Sequence, residues 1–516
     1  MSEEPSSAPG HEGPASPAAS AAPSLCPRRP YGGRTNDALP RSVPIIGLGC
    51  SSFSTFFKPE DPETVATKLT RDTITRDHPQ VQRWIETIRH AILDCGINLL
   101  DTAPWYGHGV SEIVVGYALE DIVSDASSEE KGGDSSNDKR ISRSDLIINT
   151  KVGRYDANPA EQFDFSYDRT IESVKLSLER LKCGNYIDVI QLHDPEFSPS
   201  IQLLLDETIP ALLEVKSRGW TKAIGITGYP LEVQKDIMVR SAVRKGRSYE
   251  TPTFVFDQAL TYCHANLHDM SLFIAPPPPS PLVFEHEPPS TVSLSSDADR
   301  TLIASNATGG STSSLGSGGD KSNGNNAVSG QDNLTGIGEE EEFEEMSFSD
   351  FCAAKGIALM AAAPLSMGLL TQAGPPDWHP APEELKEACR NAAYICREEY
   401  GVDIASLAIL FALAQGEIPC TLLGMKSVEE VDRAMEMARR FDGLDPNLST
   451  EEVLVTILND EEGEALATVL DDEYGPFAQI WMDGEFAWDG FEEAAKHWDK
   501  VEGGRDKAEA QMRVRK

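Results

Sequence analysis

A closed (β/α)8 barrel, eight parallel strands wrapped by helices, is the α/β fold class that this sequence predicts. Three observations lead there. Short apolar runs alternate with helix-period segments along most of the chain, the pattern of a parallel sheet with helical crossovers. The strand–helix units approach eight, which favours a closed barrel over an open doubly wound sheet. The chain has 516 residues, 40 % of them hydrophobic. That is enough for one large barrel with tails or insertions.

The elements follow in order. Residues 1–40, rich in Pro, Ser, Ala and Gly, read as a disordered tail. Val43-Pro-Ile-Ile-Gly-Leu-Gly is a short strand running into a Gly turn. Trp84, Ile85, Ile88, Ala91 and Ile92 repeat at helical spacing and predict a helix over 82–95. Asn98-Leu-Leu-Asp is a buried strand, and Ser111 to Leu119 the next helix. Leu146 to Lys151 is a strand, Tyr167 to Leu181 a helix and Ile187 to His193 a strand. Ile209 to Arg218 is a helix closed by Gly219, and Ala223 to Thr227 a strand. A helix over Leu231 to Val243 and a strand over Thr253 to Gln258 come next. After a gap the pattern resumes: helix Phe348–Lys355, strand Ile357–Ala361, helices Pro382–Tyr400 and Ile404–Ala414, strand Cys420–Gly424.

The barrel therefore spans 41–440, interrupted at 124–140 and 276–342. Both stretches are too polar to bury a core and are expected to be disordered. The extension 441–516 is acidic, yet it carries Phe477, Ile480, Trp481, Phe486, Trp488, Phe491 and Trp498. These residues predict a segment packed on the barrel or a small cap, and a contribution to a substrate mouth stays open.

Composition narrows the function. The net charge of -38 argues against nucleic-acid and anionic-membrane partners, because phosphate binding needs clustered Lys and Arg. No apolar run approaches a membrane span. The start of the chain lacks a basic-then-apolar leader, so a cytoplasmic location is expected. Nine Cys without a CxxC pair or metal-ligand spacing read as reduced thiols, and no metal is expected.

Four polar residues close predicted strands: Asp101, Lys151, His193 and Gln258. The C-terminal ends of barrel strands converge on one face, where active sites of this architecture lie. Tyr106 follows Asp101 in the loop after its strand. A phenol ionises near pH 10 and is a poor acid–base group. An adjacent ammonium stabilises the phenolate, a carboxylate holds the ammonium, and a neutral imidazole orients a substrate oxygen. Such a set suits proton transfer at an alcohol or carbonyl oxygen during hydride transfer. Singly, each residue has an ordinary structural explanation; their joint placement on successive strand ends carries the reading.

The segments Gly47-Leu-Gly-Cys-Ser-Ser-Phe, Asp101-Thr-Ala-Pro-Trp-Tyr-Gly, Asn149-Thr-Lys-Val-Gly-Arg-Tyr, Tyr186-Ile-Asp-Val-Ile-Gln-Leu-His-Asp-Pro-Glu-Phe, Ile224-Gly-Ile-Thr-Gly-Tyr-Pro-Leu and Ala363-Pro-Leu-Ser-Met-Gly-Leu-Leu carry a resemblance. The sequence resembles the aldo-keto reductase family, and within it the branch of L-galactose dehydrogenases and fungal D-arabinose 1-dehydrogenases. The resemblance covers about 43–275 and 345–440. It implies a TIM barrel and an NAD(P)-dependent oxidoreductase. Tyr106 resembles the family's general acid/base, Lys151 and Asp101 the pair that tunes it, and His193 the residue that orients substrate. Cofactor contacts are implied at Gly49, Cys50, Thr227, Gly228, Gln258, Pro364, Leu365, Ser366, Lys426, Ser427 and Glu430.

Two departures stand out. Many members stack a Tyr on the nicotinamide where this chain has Ala362, so another group must support the ring. NADPH-preferring members carry an Arg that here falls near Glu429 or Glu430. A carboxylate there disfavours a 2′-phosphate and suits a ribose hydroxyl, which favours NAD over NADP. Equally, both Glu residues suit a helix N-terminus, and Lys426 and Ser427 still suit phosphate.

The implied reaction is oxidation of an aldose (D-arabinose, L-galactose or L-fucose type) at C1 to the aldonolactone, within ascorbate-like or erythroascorbate synthesis. Trp105 is a candidate platform for the sugar's apolar face, or a loop anchor. The alternatives are a broad NAD(P)H-dependent aldehyde or ketone reductase and a cofactor-binding regulatory subunit. A small sugar is the expected partner, with the chain a monomer or weak homo-oligomer.

Overall fold

The computed structural model describes residues 25–33, 39–54, 69–124, 140–242, 253–275, 346–483, 486–501 and 503–506. Eight parallel strands close into a barrel: β1 Ile46–Gly49, β2 Leu99–Asp101, β3 Ile147–Val152, β4 Ile187–His193, β5 Thr221–Gly228, β6 Gln258–Tyr262, β7 Ala358–Ala362 and β8 Thr421–Gly424. Every strand pairs with its neighbour in sequence, and β8 closes on β1 through Thr421↔Ile46 to Gly424↔Gly49. The strands β3, β4 and most of β5 are buried throughout, because the barrel interior and the helical shell cover both faces.

Helices run between the strands: α1 Pro79–Leu93, α2 Val110–Ile122, α3 Tyr167–Leu181, α4 Ile209–Ser217, α5 Leu231–Arg240, α6 Phe348–Lys355, α7 Glu383–Tyr400, α8 Ile404–Ala414 and α9 Val428–Ala438. Their starts follow capping chemistry. Ser166 accepts from the Arg169 N–H at 3.4 Å, and Asp403 accepts from that of Ser406 at 3.0 Å. The helix α1 buries Val81, Trp84, Ile85, Ile88, Ala91 and Ile92 on one stripe.

Four expectations need correction. Residues 1–40 are not featureless: Arg28–Pro30 pairs antiparallel with Ser42–Pro44, and Tyr31 is buried against barrel-interior residues including Leu99, Leu260, Met360 and Leu422. This hairpin shares its core cluster with the barrel, and its Pro- and Gly-rich composition hid it. Residues 1–24 and 34–38 of that tail lie outside the described residues. The first apolar run breaks at Ile45, with Ser42–Pro44 in the hairpin and Ile46–Gly49 in the barrel. The strand read at 253–258 instead begins at Gln258, because buried Phe254, Val255 and Phe256 belong to the approach to the barrel. The helix read from Ile209 starts at Ile201 and passes through a wide turn at Leu204–Thr208. Pro210, which has no N–H to give, follows that turn.

Of the insertions read at 124–140 and 276–342, residues 125–139 and the whole of the second lie outside the described residues; Val123–Ser124 and Ile141–Ser142 pair where the first one leaves and returns. The C-terminal extension is helical: α10 Thr450–Ile457, α11 Asp460–Val469, α12 Ala478–Asp483 and α13 Gly490–Asp499. Phe477 and Ile480 join the core of α7 and α8, and Trp481, Phe486 and Trp488 pack against it. Among the described residues no helix is long and apolar enough to cross a membrane. All nine cysteines are buried and unpaired.

Candidate active site

The ends of β2, β3 and β4 bring Asp101, Lys151 and His193 together: the register sets Asp101 beside Asn149 and Lys151 beside Gln191, and Lys151 and His193 each lie two residues on, so on the same face. Lys151 is almost fully buried. Its ammonium donates to an Asp101 carboxylate oxygen, to the Thr102 carbonyl at 2.8 Å and to the Tyr106 hydroxyl at 3.1 Å. Burial pulls the Lys151 pKa down, but Asp101 and Tyr106 more than restore it, so the ammonium stays charged. His193 meets the Tyr106 ring edge-on with centroids 6.2 Å apart.

Tyr106 owes its place to a strained loop. Gly107, His108 and Gly109 all have positive φ, and a Cβ on Gly107 would fall 2.9 Å from that of Ser54. Burial raises the Tyr106 pKa. The Lys151 ammonium acts on Tyr106 in the expected direction, lowering its pKa, but offsets only part of that rise, and the net stays above the ordinary phenol value. His193 is lowered to about 3, chiefly by burial, so its imidazole is neutral as expected. Its Nδ1 is buried with no partner among the described residues.

The remaining predicted residues divide. Thr227 and Gly228 end β5, and the Asp194 N–H donates to the Thr227 carbonyl at 2.8 Å. Gln258 opens β6 rather than closing a strand; its amide bonds Gln191 at 3.3 Å and its carbonyl accepts from Tyr31. Gly49 ends β1, and the Cys50 thiol donates to the Leu48 carbonyl at 3.4 Å. Pro364, Leu365 and Ser366 lie in the loop after β7, where Ala363, Ser366 and Met367 have positive φ. The Ser366 hydroxyl bonds His268 at 2.7 Å, its N–H donates to the Ala363 carbonyl at 2.8 Å, and its own carbonyl bonds His379 at 3.0 Å, so internal bonds hold this loop in shape.

At α9, Ser427 caps the Glu430 N–H at 3.3 Å, and the Glu430 carboxylate accepts from the Lys426 N–H at 2.8 Å. Glu430 therefore serves the helix start, and Glu429 is the exposed carboxylate of the pair. The loop after β7 continues β7 Ala362, and the register sets Tyr262 beside Ala362 as a neighbouring aromatic.

Several residues escaped the sequence reading. Arg154 donates to Asp194 at 2.7 Å and stacks on Trp105 at 4.1 Å, with Phe163 and Phe197 also in reach. Trp105 is thus backed by a guanidinium. Glu196 accepts from the Tyr229 N–H at 3.1 Å. Burial first, then Asp194, push it up to about 8, and its Oε2 has no partner among the described residues. From the extension, His497 meets Phe163 edge-on at 4.9 Å, and the Trp498 indole donates to the Phe197 carbonyl at 3.1 Å. The available signal was position: Arg154, Asp194 and Glu196 immediately follow the ends of β3 and β4. Away from the barrel mouth, His90, Cys95 and Asp432 place one N, S and O within 4.8 Å, with His90 and Asp432 bonded to each other at 2.8 Å.

The donor set suits a hydride carrier. A phenol bonded to a fixed ammonium, beside a neutral imidazole with an unspent buried nitrogen, moves a proton at oxygen and leaves the electron pair to a bound group. Residues 73–258 and 325–444 match the Aldo/keto reductase family. The chain is 29 % identical over 360 residues to L-galactose dehydrogenase of Arabidopsis thaliana, covering 70 % of this chain and 79 % of that protein. It is 26 % identical over 362 residues to D-arabinose 1-dehydrogenase of Saccharomyces cerevisiae, covering 70 % and 78 %. A solved aldo-keto reductase from Bacillus halodurans, in its holo form, superposes with a TM-score of 0.45 at 21 % identity, covering 85 % of this chain and 95 % of that one. With the family matched over more than half its length, this chain belongs to the aldo/keto reductase family of NAD(P)-dependent oxidoreductases.

Proposed function

We propose that the protein oxidises an aldose at its anomeric carbon to the aldonolactone. The observation that carries this reading is the Lys151 ammonium, shared between Asp101 and the Tyr106 hydroxyl. A bound nicotinamide dinucleotide supplies the hydride acceptor. The protein's own part is to hold the C1 hydroxyl between the Tyr106 oxygen and the neutral His193 ring and to take its proton. Loss of the C1 hydrogen as hydride and of the hydroxyl proton to the Tyr106 phenolate leaves the lactone carbonyl. Lys151 stabilises the phenolate that this direction requires. Both relatives matched over most of their length are sugar dehydrogenases by name, which supports an aldose as substrate. Gly49, Cys50, Thr227, Gly228, the loop Pro364, Leu365 and Ser366, and Lys426 with Ser427 are the residues we assign to the cofactor. NAD is the favoured form, on the strength of exposed Glu429 at the start of α9.

The reverse reaction is the second reading: the Tyr106 hydroxyl, 3.1 Å from the Lys151 ammonium, serves equally to protonate a carbonyl oxygen during reduction. Initial rates of NADH or NADPH formation with D-arabinose, L-galactose, L-fucose and D-glucose separate the two. Rapid NADH formation with one of the first three is the expected result. Turnover confined to aldehyde reduction would replace the dehydrogenase reading with the reductase one.

A further inference from the structure

A single chain of hydrogen bonds crosses the barrel interior from its hairpin to the acid/base site. The Tyr31 hydroxyl donates to the Gln258 carbonyl. The Gln258 amide donates to the Gln191 carbonyl at 3.3 Å, and the Gln191 amide donates to Asp101 Oδ2 at 2.7 Å. The other Asp101 oxygen holds Lys151, which holds Tyr106. Each of these side chains but Tyr106 is at least nine-tenths buried. The direction is uniform: Tyr31 donates to Gln258, Gln258 to Gln191 and Gln191 to the Asp101 carboxylate, so the dipoles add in stabilising that charge.

The barrel is built to admit this chain. Asp101, Gln191 and Gln258 come from the alternate strands β2, β4 and β6, which contribute the side chains of one interior layer. The register sets Gln191 and Gln258 level across Gly225 of β5. A Cβ on Gly225 would fall 2.7 Å from Gln191 Cγ, so the glycine clears the space in which the two amides meet.

We propose that Gln191 is a positioning residue for the acid/base step, and that Tyr31, through Gln258, holds it in register. The proposal rests on the reading of Tyr106 as the acid/base group. With Oδ2 fixed by Gln191, the carboxylate plane is fixed and Oδ1 stays on the ammonium. The ammonium in turn stays 3.1 Å from the phenol oxygen. Without Gln191 the carboxylate turns, the ammonium wanders, and Tyr106 loses part of the interaction that opposes its burial. Residues of a hairpin some thirty positions into the chain thereby act on a group at the opposite end of the barrel strands.

The test is the pH profile of kcat in Gln191→Leu and Tyr31→Phe, in the full-length protein with whichever sugar and nicotinamide dinucleotide give the fastest wild-type turnover. NAD affinity is read separately by quenching of tryptophan fluorescence. In Gln191→Leu the limb that reports Tyr106 should move up by about half a unit or more, with kcat down roughly tenfold and NAD affinity unchanged. Tyr31→Phe keeps its ring in the same cluster and needs no refolding of the site. It should shift the limb the same way by less, and the double variant should add little to Gln191→Leu, because both act through one chain. Profiles of both single variants that superimpose on wild type would overturn the positioning role. Should Gln191→Leu fail to fold, Tyr31→Phe alone decides. Tyr106→Phe, run beside them, separates the two claims: its retained activity would remove the acid/base reading itself.

Discussion

Lys151 decides what Tyr106 and Asp101 can do, and all three were legible as residues before their contacts were known. Position on a strand end is written in the sequence as a polar residue closing an apolar run, and that is why Asp101, Lys151 and His193 could be found. Partners are not written there. The raised pKa of Tyr106 follows from its burial among neighbours remote in sequence, and the commitment of Gln258 depends on Tyr31, 227 positions away. His193 illustrates the consequence. Burial holds its pKa near 3, so its ring proton signals should not titrate between about pH 5 and pH 8 in an NMR pH series. The sign for stability follows from proton uptake. The unfolded histidine binds a proton below about pH 6.5 and the folded one does not. Folding stability is therefore lost progressively as pH falls from about 6.5 toward the folded value, and His193→Gln should lessen that loss.

At the level of elements, the strands and helices of the barrel were readable because buried parallel strands are continuous apolar runs and their crossover helices carry one apolar stripe. Tyr167–Leu181, Ile187–His193 and Ile404–Ala414 have the bounds that the sequence pattern suggests. The errors sit where packing overrode pattern: an apolar run before Gln258 that approaches the barrel, and a hairpin concealed in low-complexity sequence. The helix α13 shows the same limit. Its aromatics predicted packing, but nothing in the sequence showed that it would dock on Phe163 and Phe197, beside Arg154 and Trp105. Trp498 is buried and hydrogen-bonded there. Trp498→Ala should cost about 3 kcal/mol of docking energy. The expected signs are faster limited proteolysis near the C-terminus and a KM raised severalfold with kcat little changed. An unchanged KM would confine α13 to a structural role.

For the molecule as a whole, the site is an intersection of parts far apart in sequence. The strands β2 to β4 and the loop after β2 supply the candidate acid/base side chains, the loop after β7 and the start of α9 supply the candidate cofactor surface, the extension docks on Phe163 and Phe197, and the hairpin reaches the same network through the barrel interior. The closed topology makes this possible, since all eight strand ends share one rim. The net charge of -38 is compatible with a small neutral substrate, which needs no field of opposite sign. Everything converges on one phenol oxygen, and removing it leaves the ring and the barrel in place. The most direct measurement is single-turnover hydride transfer in Tyr106→Phe, with NAD binding followed separately by fluorescence. The account predicts a rate lower by roughly 10²–10⁴-fold with cofactor affinity within about twofold of wild type. A variant that transfers hydride at close to the wild-type rate would contradict it.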